Sequence, residues 1–354
     1  MNASVRARRR FIGITAAASA LALVPGAMRL AHAATATRPI PDIPPVRWRG
    51  IALGADAELR LYHPDPRIAQ RLLDQSLAEI RRLEALFSLY RDDSALATLN
   101  RQGRLDEPPA DLLRLLSEST HYSRLTGGAF DPSVQPLWRL YANHFSQPGA
   151  APAGPAAAAL RAALARVDYR AIHTEPGRIL LQRPGMELTL NGIAQGYITD
   201  RITELLRAGG LDRALVDLGE IRGLDTHPNA AVPPWRVGLA QPQSPDRVHT
   251  TVDIRNQALA TSGGYGTPLD PAGRHTHLFD PHTGRAQPRY RSVSVLAANA
   301  TTADALSTAF SNMSLEQTAP LVRDLGLSAW FVLADGSVRR QSALPESENP
   351  KDRI

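Results

Sequence analysis

The hydrophobic positions of residues 186–206 change their period partway along the segment. Leu188 and Leu190 alternate with polar neighbours, which predicts a half-buried strand. Asn191 stands where a helix N-cap is expected, and the glycines at 209–210 supply a stop. Between them the apolar residues share one helical face: Ile193, Tyr197, Ile198, Ile202, Leu205 and Leu206. A strand that turns through glycine into a helix presents free backbone N–H groups, so the segment is either an anion site, often for phosphate, or an ordinary junction.

The same reasoning predicts further helices and strands that are mixed along the chain. Helices are predicted over residues 68–89, 112–125 and 302–313. A strand, or a hairpin turned around residues 54–56, is predicted over 51–62, and a strand that runs into a glycine-rich turn over 258–266. Further strands are predicted on both sides of a turn at 175–177 and over 214–218, 235–240, 250–254, 275–280, 291–297 and 329–333. Residues 145–159 are rich in proline, alanine and glycine and predict an exposed loop. This mixture, without an internal repeat, predicts an α+β fold with substantial antiparallel sheet.

The N-terminal segment has the pattern of an export signal. Arg8-Arg9-Arg10-Phe11-Ile12 has the twin-arginine form, and Ala31-His32-Ala33 forms a cleavage site. The apolar stretch at 12–24 is short for a membrane span, although an uncleaved anchor is the alternative. We therefore predict a signal peptide over 1–33, export to the periplasm by the twin-arginine machinery, and no stable membrane anchor after cleavage. A proline-rich linker over 34–46, a folded domain over 47–340 and a polar tail over 341–354 complete the predicted organisation.

Composition excludes several classes of function. Five arginines and no acidic residue lie in residues 1–33, so removal of this segment lowers the formal net charge from +6 to +1. A nearly neutral mature chain gives no electrostatic argument for binding nucleic acid. The absence of cysteine excludes thiolate catalysis, disulfides and cysteine-bound zinc. The single lysine, Lys351, lies in the polar tail, which argues against Schiff-base chemistry and a phosphate-loop lysine.

Asp304 and Thr308 are the first candidates for chemistry. They lie four residues apart on a predicted helix and therefore on one face. A carboxylate and a hydroxyl are hard oxygen ligands that suit Mg²⁺. An acid in a first helical turn is also favoured by the helix dipole alone, and without other evidence that interpretation is favoured.

His275 and His277 share one face of a predicted strand, and three interpretations compete for them. They could form a metal site, act as general acid or base, or be ordinary polar surface, which the spacing alone favours. Tyr90 could stack on a flat ring or cap the core at a helix end. Asp131 could accept a hydrogen bond from a nucleotide or hold a turn.

The order of six motifs along the chain closely resembles the ApbE family of FAD:protein FMN transferases. The resemblance extends from about residue 50 to 332, and its two last motifs are the most specific. The motifs are F-S-L-Y-R-D-D-S-A-L-A-T-L-N, G-G-A-F-D-P-S-V-Q-P-L, L-N-G-I-A-Q-G-Y-I-T-D, A-T-S-G-G-Y, H-L-F-D-P-H-T-G and T-A-D-A-L-S-T. The forms Q-G-Y-I-T-D and D-L-G-E-I-R, with the export signal, look most like the NosX subgroup linked to maturation of the nitrous oxide reduction system.

The resemblance implies a two-lobed, T-fold-like architecture with antiparallel sheets flanked by helices and FAD in the cleft between the lobes. It implies a Mg²⁺-dependent transfer of FMN from FAD to a threonine or serine of a periplasmic acceptor domain, with release of AMP. Asp304, Thr308 and the carbonyl of Gly192 match the Mg²⁺ ligands, and His277 matches the catalytic histidine. The matching FAD-contacting positions are Tyr90, Ala129, Phe130, Asp131, Gln195, Leu278 and, more loosely, Leu53.

Three positions depart from the family pattern. Thr189 stands where the family commonly has an acid, and Gln195 where it often has lysine. Only Gly219 precedes Glu220 where two glycines are usual. Two alternatives are an FAD pyrophosphatase, which would use the same Mg²⁺ site with water and release FMN and AMP, and a non-catalytic flavin-binding assembly factor. An exported α+β protein that binds no flavin is the third alternative.

Overall fold

The computed structural model describes residues 43–226, 232–242 and 244–343. The predicted export signal, linker residues 34–42 and tail residues 344–354 lie outside these ranges. Within them, no helix is both long enough and apolar enough to cross a membrane.

The described residues form eight α-helices and thirteen strands. The helices are α1 (Pro66–Phe87), α2 (Ala95–Gln102), α3 (Ala110–Leu125), α4 (Gln135–Phe145), α5 (Ala157–Leu164), α6 (Ala194–Ala208), α7 (Ala300–Phe310) and α8 (Leu315–Asp324). The strands are β1 (Val46–Ala52), β2 (Ala55–Tyr62), β3 (Arg104–Asp106), β4 (Ile172–Glu175), β5 (Arg178–Leu181), β6 (Arg213–Asp217), β7 (Ile221–Asp225), β8 (Trp235–Gln241), β9 (Ser244–Ile254), β10 (Ala258–Gly263), β11 (Ser292–Ala297), β12 (Ser328–Val332) and β13 (Val338–Ser342).

An eight-stranded sheet organises the fold. Its order is β1-β2-β6-β7-β10-β11-β12-β13, and every neighbouring pair is antiparallel. Strand alternation divides its side chains between two faces. On β6, for example, Ala214 and Val216 join the main hydrophobic core, whereas Leu215 joins a second cluster. The predicted α+β class with antiparallel sheets is confirmed.

Helices and a β-ribbon cover the two faces of this sheet. Helix α7 packs on β10 and β11, while α6 packs on α1, α7 and the β6–β7 pair. On the other face, Trp235, Val237 and Leu239 of the β8–β9 ribbon pack against Leu215 and Leu259. The helical face matters for function, because α6 and α7 carry the residues that the sequence singled out.

Most predicted elements are present, but two predicted strands are wrong. Residues 186–190 are extended without pairing to a strand, because the Asn100 side chain bonds both the N–H and the carbonyl of Leu188. Residues 275–280 are irregular, and Thr276 makes only an isolated bridge to Pro268 within the described chain.

Three predicted boundaries are also corrected. Helix α6 begins at Ala194 with Ile193 as its N-cap, so Asn191 is not the cap. The predicted loop over 145–159 ends earlier, because α5 begins at Ala157. Strand β13 extends to Ser342, two residues beyond the predicted end of the folded domain.

Candidate active site

One cleft brings together ten of the eleven residues that the family resemblance assigns to the site. Its open space is about 1160 Å³, which includes the solvent at its mouth. The residues are Tyr90, Ala129, Phe130, Asp131, Gly192, Gln195, His277, Leu278, Asp304 and Thr308. The walls come from the end of β10, the β6–β7 turn, the start of α6, one face of α7 and the segments 129–134 and 277–281. Residues separated by more than 200 positions thus share one site large enough for a dinucleotide.

Leu53 is the exception, because it does not line the cleft of the described structure. It lies in the two-residue turn between β1 and β2 with a positive φ of 54° and is not among the residues that line the cleft. Its backbone N–H donates to the Glu84 carboxylate on α1. The turn therefore fastens the hairpin to α1, and in this structure Leu53 has no direct place at the cleft.

Helices α6 and α7 meet at the base of the cleft with almost no space between them. A Cβ atom at Gly196 would lie 2.3 Å from the Ala300 carbonyl oxygen, so only glycine fits there. This approach lets Asp304 Oδ2 accept a hydrogen bond of 3.0 Å from the Gly196 N–H. Asp304 is thereby a cap for the neighbouring helix α6, where α6 has no side-chain cap of its own.

The same approach joins Gly192 to Thr308. A Cβ atom at Gly192 would lie 2.9 Å from Thr308 Oγ1, so the glycine backbone runs directly against this hydroxyl. Thr308 Oγ1 also lies 3.2 Å from Ser262 Oγ, which in turn lies 2.7 Å from Ser307 Oγ. The hydroxyls of β10 and α7 therefore form a polar line along the base of the cleft.

Asp200, on α6, caps α7 in return. Its carboxylate accepts hydrogen bonds of 2.8 Å from the N–H groups of Ala300 and Thr301 and of 2.6 Å from Thr301 Oγ1. Arg222, on β7, donates to the same carboxylate at 2.5 Å. Asn299 binds the Thr302 N–H, so the first three N–H groups of α7 all have partners.

The cleft is acidic. Among the residues that line it in the described structure, there are three carboxylates, Asp131, Glu220 and Asp304, and no lysine or arginine. Burial raises the pKa of Asp304 to about 7, with the nearby Asp200 charge acting in the same direction and the Gly196 N–H opposing both. Burial also raises the pKa of Glu220 well above its usual range, and the charge of Asp304 adds to this. Such carboxylates favour a bound cation or a proton.

The residues expected to hold Mg²⁺ fit such an ion. The set is one carboxylate, one hydroxyl and one backbone carbonyl, all hard oxygen donors. Gly192 lies directly against Thr308, and Asp304 uses one carboxylate oxygen to bind the Gly196 N–H. The three expected ligand residues therefore lie where α6 and α7 meet. No group of three His, Cys, Asp or Glu side chains in the described residues is arranged to hold a metal. The expected set has one such side chain, so it would leave positions for substrate phosphates.

His277 borders the cleft as a neutral imidazole. Burial lowers its pKa to about 4, and a hydrogen bond to the Thr267 backbone opposes this effect. Its Nδ1 atom is buried and has no hydrogen-bond partner among the described residues. A neutral imidazole that lines the cleft has one ring nitrogen without a proton, which can accept a proton from a bound hydroxyl.

His275 points away from the cleft, so the predicted pairing of the two histidines on one strand face is wrong. Its ring lies against Tyr141 and Phe145, with centroid distances of 5.6 and 5.0 Å. Its backbone N–H donates to Asp270 Oδ1 at 2.7 Å. His275 therefore belongs to the small aromatic cluster beside α4, and only His277 is available for chemistry.

Asp131 holds a turn, which was one of its two predicted roles. Oδ1 accepts bonds of 2.8 and 2.6 Å from the N–H and hydroxyl of Ser133, and Oδ2 accepts 3.0 Å from the Tyr169 N–H. Burial raises its pKa, while these bonds act to lower it. Its carboxylate shapes the wall of the cleft, and any contact with a ligand would use its remaining lone pairs.

Tyr90 and Gln195 both line the cleft. Tyr90 follows α1 and is 53% exposed, so its ring is open to stacking. Gln195 Nε2 donates to the Leu218 carbonyl at 3.4 Å and lies where a Cβ at Gly219 would come within 2.6 Å. The single glycine before Glu220 therefore makes room for the glutamine side chain.

Three residues of the site were not among the predicted ones. Glu220 lines the cleft and accepts a bond of 3.3 Å from the Thr261 N–H. Ser262 extends the line of hydroxyls, and Asp200 holds α7 from behind the cleft. Ser262 lies inside the motif A-T-S-G-G-Y, and Asp200 ends the motif L-N-G-I-A-Q-G-Y-I-T-D. Both residues therefore belong to motifs that the sequence singled out, but their bonding partners are distant in sequence.

The comparison with known families decides the assignment. The ApbE family matches residues 53–331 of the chain. The chain belongs to this family. An FAD:protein FMN transferase of Treponema pallidum is 32% identical over 83% of this chain and 86% of its own length. The Escherichia coli K12 protein of the same name is 28% identical over 82% of both chains.

Solved ApbE structures share the fold. The ApbE protein of Thermotoga maritima superposes with a TM-score of 0.74 at 26% identity, covering 84% of this chain and 97% of its own. The flavin transferase ApbE of Vibrio cholerae gives a TM-score of 0.71 at 26% identity, covering 85% and 98%. The ApbE-like fold expected from the sequence is confirmed, and the described cleft lies within it.

Proposed function

We propose that this protein is an FAD:protein FMN transferase that uses Mg²⁺. In the proposed reaction an acceptor hydroxyl attacks the FMN phosphorus of FAD, the pyrophosphate P–O bond breaks, and AMP leaves with the bridging oxygen. The product is an FMN phosphoester on threonine or serine. The family match and the relatives of that name support this activity.

The observation that carries the proposal is that no lysine or arginine side chain lines the cleft in the described structure. FAD brings two phosphate charges, yet the described lining contains carboxylates and no lysine or arginine. A divalent cation at Asp304, Thr308 and the Gly192 carbonyl would neutralise phosphate charge and polarise the phosphorus. The chain has a place for it, because Gly192 lies directly against Thr308 and Gly196 fixes Asp304.

The chain's own residues supply positioning and the proton acceptor. His277, neutral at pH 7 and on the wall of the cleft, would take the proton of the acceptor hydroxyl at the ring nitrogen that carries no proton. Tyr90 offers an exposed ring on which the flavin could stack. Phe130 and Leu278 provide apolar wall.

The experiment incubates the purified protein with FAD, Mg²⁺ and an acceptor flavodomain, followed by mass spectrometry of the acceptor. A mass gain equal to FMN less water supports the transferase, and an acceptor whose threonine is replaced by alanine should show none. Free FMN and AMP with an unmodified acceptor would instead identify an FAD pyrophosphatase. Bound but intact FAD would identify a flavin-binding assembly factor.

We further propose that the protein acts in the periplasm after twin-arginine export, with residues 1–33 removed, 34–45 as linker and a two-lobed catalytic domain that begins with β1 at Val46. Arg8, Arg9 and Arg10 before the apolar stretch support this. Replacement of the three by lysine should leave the precursor in the cytoplasm, as shown by cell fractionation. Normal export of that variant would contradict the proposal.

The acceptor is proposed to be a membrane-bound protein with a periplasmic FMN-binding domain of the nitrous oxide reduction system. The NosX-like forms Q-G-Y-I-T-D and D-L-G-E-I-R support this role. A strain without the protein should accumulate the acceptor without covalent FMN and lose nitrous oxide reduction. A fully flavinylated acceptor in that strain would contradict this role while leaving the activity in place.

A further inference from the structure

We propose that Asp200 is a positioning residue for the reaction, which holds the start of α7 so that Asp304 and Thr308 stay in place beside Gly192. Asp200 is 7% exposed and does not line the cleft, so it contacts neither FAD nor a cation there. The inference rests on the proposed function, because it assigns Asp200 to the cation site of that function.

The Asp200 carboxylate joins three elements that each supply part of the cleft. It lies on α6, binds the first two N–H groups of α7 and pairs with Arg222 of β7. Helix α6 carries Gln195, α7 carries Asp304 and Thr308, and Glu220 directly precedes β7. One buried carboxylate therefore fixes the mutual position of these elements.

The bonds made by Asp200 and Asp304 are reciprocal. Asp200 binds the N-terminus of the helix that carries Asp304, while Asp304 binds the third residue of the helix that carries Asp200. Loss of the Asp200 bonds leaves two N–H groups of α7 without partners in a buried place, so the helix start must move or rotate. Asp304 lies about one turn and Thr308 just over two turns from that start, so both move with it.

The expected consequence is a weaker cation site. Displacing a residue that orients a metal ligand commonly costs cation affinity, and the chemical step suffers less once the ion is bound. Asp200→Asn preserves size but gives an amide, whose N–H₂ group faces donors. Thr301→Val removes one bond to Asp200 and keeps the shape of the side chain.

The test measures Mn²⁺ binding by electron paramagnetic resonance with the purified protein and FAD, without acceptor, beside the Mg²⁺ dependence of FMN transfer. Asp200→Asn should weaken Mn²⁺ binding by about tenfold and Thr301→Val by about threefold. For Asp200→Asn the Mg²⁺ concentration at half-maximal rate should rise in parallel, with kcat at saturating Mg²⁺ within about threefold.

Asp225→Asn is the matched control. Asp225 is also a buried acid, on β7, and it pairs with Arg213 at 2.9 Å and Arg255 at 3.2 Å away from the cleft. This variant should lose stability but keep Mn²⁺ affinity within about twofold of the wild type. Thermal unfolding of all variants separates stability from cation binding.

Two results would overturn the proposal in distinguishable ways. If the wild type binds no Mn²⁺ in the presence of FAD, both the metal site of the proposed function and the role of Asp200 are refuted. If the wild type binds Mn²⁺ and Asp200→Asn and Thr301→Val bind it as tightly, only the role of Asp200 is refuted. Where Asp200→Asn does not fold, Thr301→Val decides alone.

Discussion

Asp200 and Asp304 each cap the helix that carries the other. Asp304 of α7 accepts the Gly196 N–H at 3.0 Å, and Asp200 of α6 accepts the Ala300 and Thr301 N–H groups at 2.8 Å. Each carboxylate accepts hydrogen bonds from N–H groups in the first turn of the partner helix, and these N–H groups have no partner within their own helix. The position of Asp304, the proposed cation ligand, therefore depends on the packing of α6 against α7.

The crossing depends on Gly196, which gives the first prediction. Gly196→Ala should destabilise the protein by about 3 kcal/mol, because its Cβ would lie 2.3 Å from the Ala300 carbonyl oxygen and force the helices apart. The measurement is urea unfolding followed by circular dichroism. Mg²⁺-dependent FMN transfer should fall as well, since Asp304 would move away from its partner.

Gly177→Ala is the control for this prediction. Gly177 lies in the β4–β5 turn, and nothing lies within 4 Å of the place its Cβ would take. The free energy of unfolding of Gly177→Ala should differ from that of the wild type by less than about 1 kcal/mol. Equal stabilities for the two alanine variants would show that α6 and α7 separate without cost, against the close packing described.

The Asp304 carboxylate should lower the stability of the folded protein while it provides a ligand for the cation. Its pKa is raised to about 7, so the folded protein holds this proton more tightly than the unfolded chain does. The resulting stability is complete at low pH and is lost as pH rises through about 7. Without divalent cation at pH 8, Asp304→Asn should therefore be more stable than the wild type by about 1 to 3 kcal/mol.

The same variant should lose its response to the cation. Added Mg²⁺ and FAD should raise the melting temperature of the wild type but not that of Asp304→Asn, because the carboxylate is absent. The difference in stability between the two proteins should shrink as pH falls below 7 and vanish only near pH 4, because the unfolded aspartate has a pKa near 3.8. A variant that is less stable than the wild type at pH 8 would contradict a raised pKa at this position.

The sequence predicted the helical core well because its information is local. On α1 the buried Leu72, Leu73, Ile80 and Leu83 recur at helical spacing, and Asp65 caps the helix ahead of Pro66. The site residues came from motif resemblance, and the structure places all but Leu53 around one cleft. Hydrophobic periodicity alone does not predict that motifs far apart in the sequence meet at one cleft.

The failures are at places where a distant partner decides the structure. Residues 186–190 alternate like a strand, but the chain gives them the Asn100 side chain and the Pro132 carbonyl as partners in place of a strand. Asn191 looks like a cap, but Asp304 provides that bond from 108 residues away. The alternation of hydrophobic and polar residues indicates which side chains are buried, but it does not indicate which groups bond to the backbone.

His277 gives a prediction on pH. Its pKa is lowered to about 4 by burial, below the usual value of 6.5, so the unfolded chain takes up a proton first as pH falls. Stability from this group is complete above about pH 6.5 and is lost as pH falls toward 4. Between pH 7.5 and 5.0 the wild type should lose about 2 kcal/mol more than His277→Gln.

Urea unfolding at the two pH values measures this difference. His173→Gln, which changes an exposed histidine on β4, is the control and should follow the wild type. FMN transfer by His277→Gln should fall by about 100-fold at pH 7.5, where the wild-type ring can accept a proton. Identical pH slopes for the wild type and His277→Gln would show that the buried ring does not titrate as described.

Gln195→Lys should strengthen FAD binding. Gln195 lies against Gly219 beside Glu220, in a cleft whose described lining has no lysine or arginine. A lysine there places a positive charge near a buried carboxylate and near the phosphates expected at Asp304, so the KM for FAD should fall by about three- to tenfold. Gln195→Met, of similar length without charge, should not lower KM. Tighter FAD binding by both Gln195→Met and Gln195→Lys would show that the glutamine amide, and not the missing charge, limits binding.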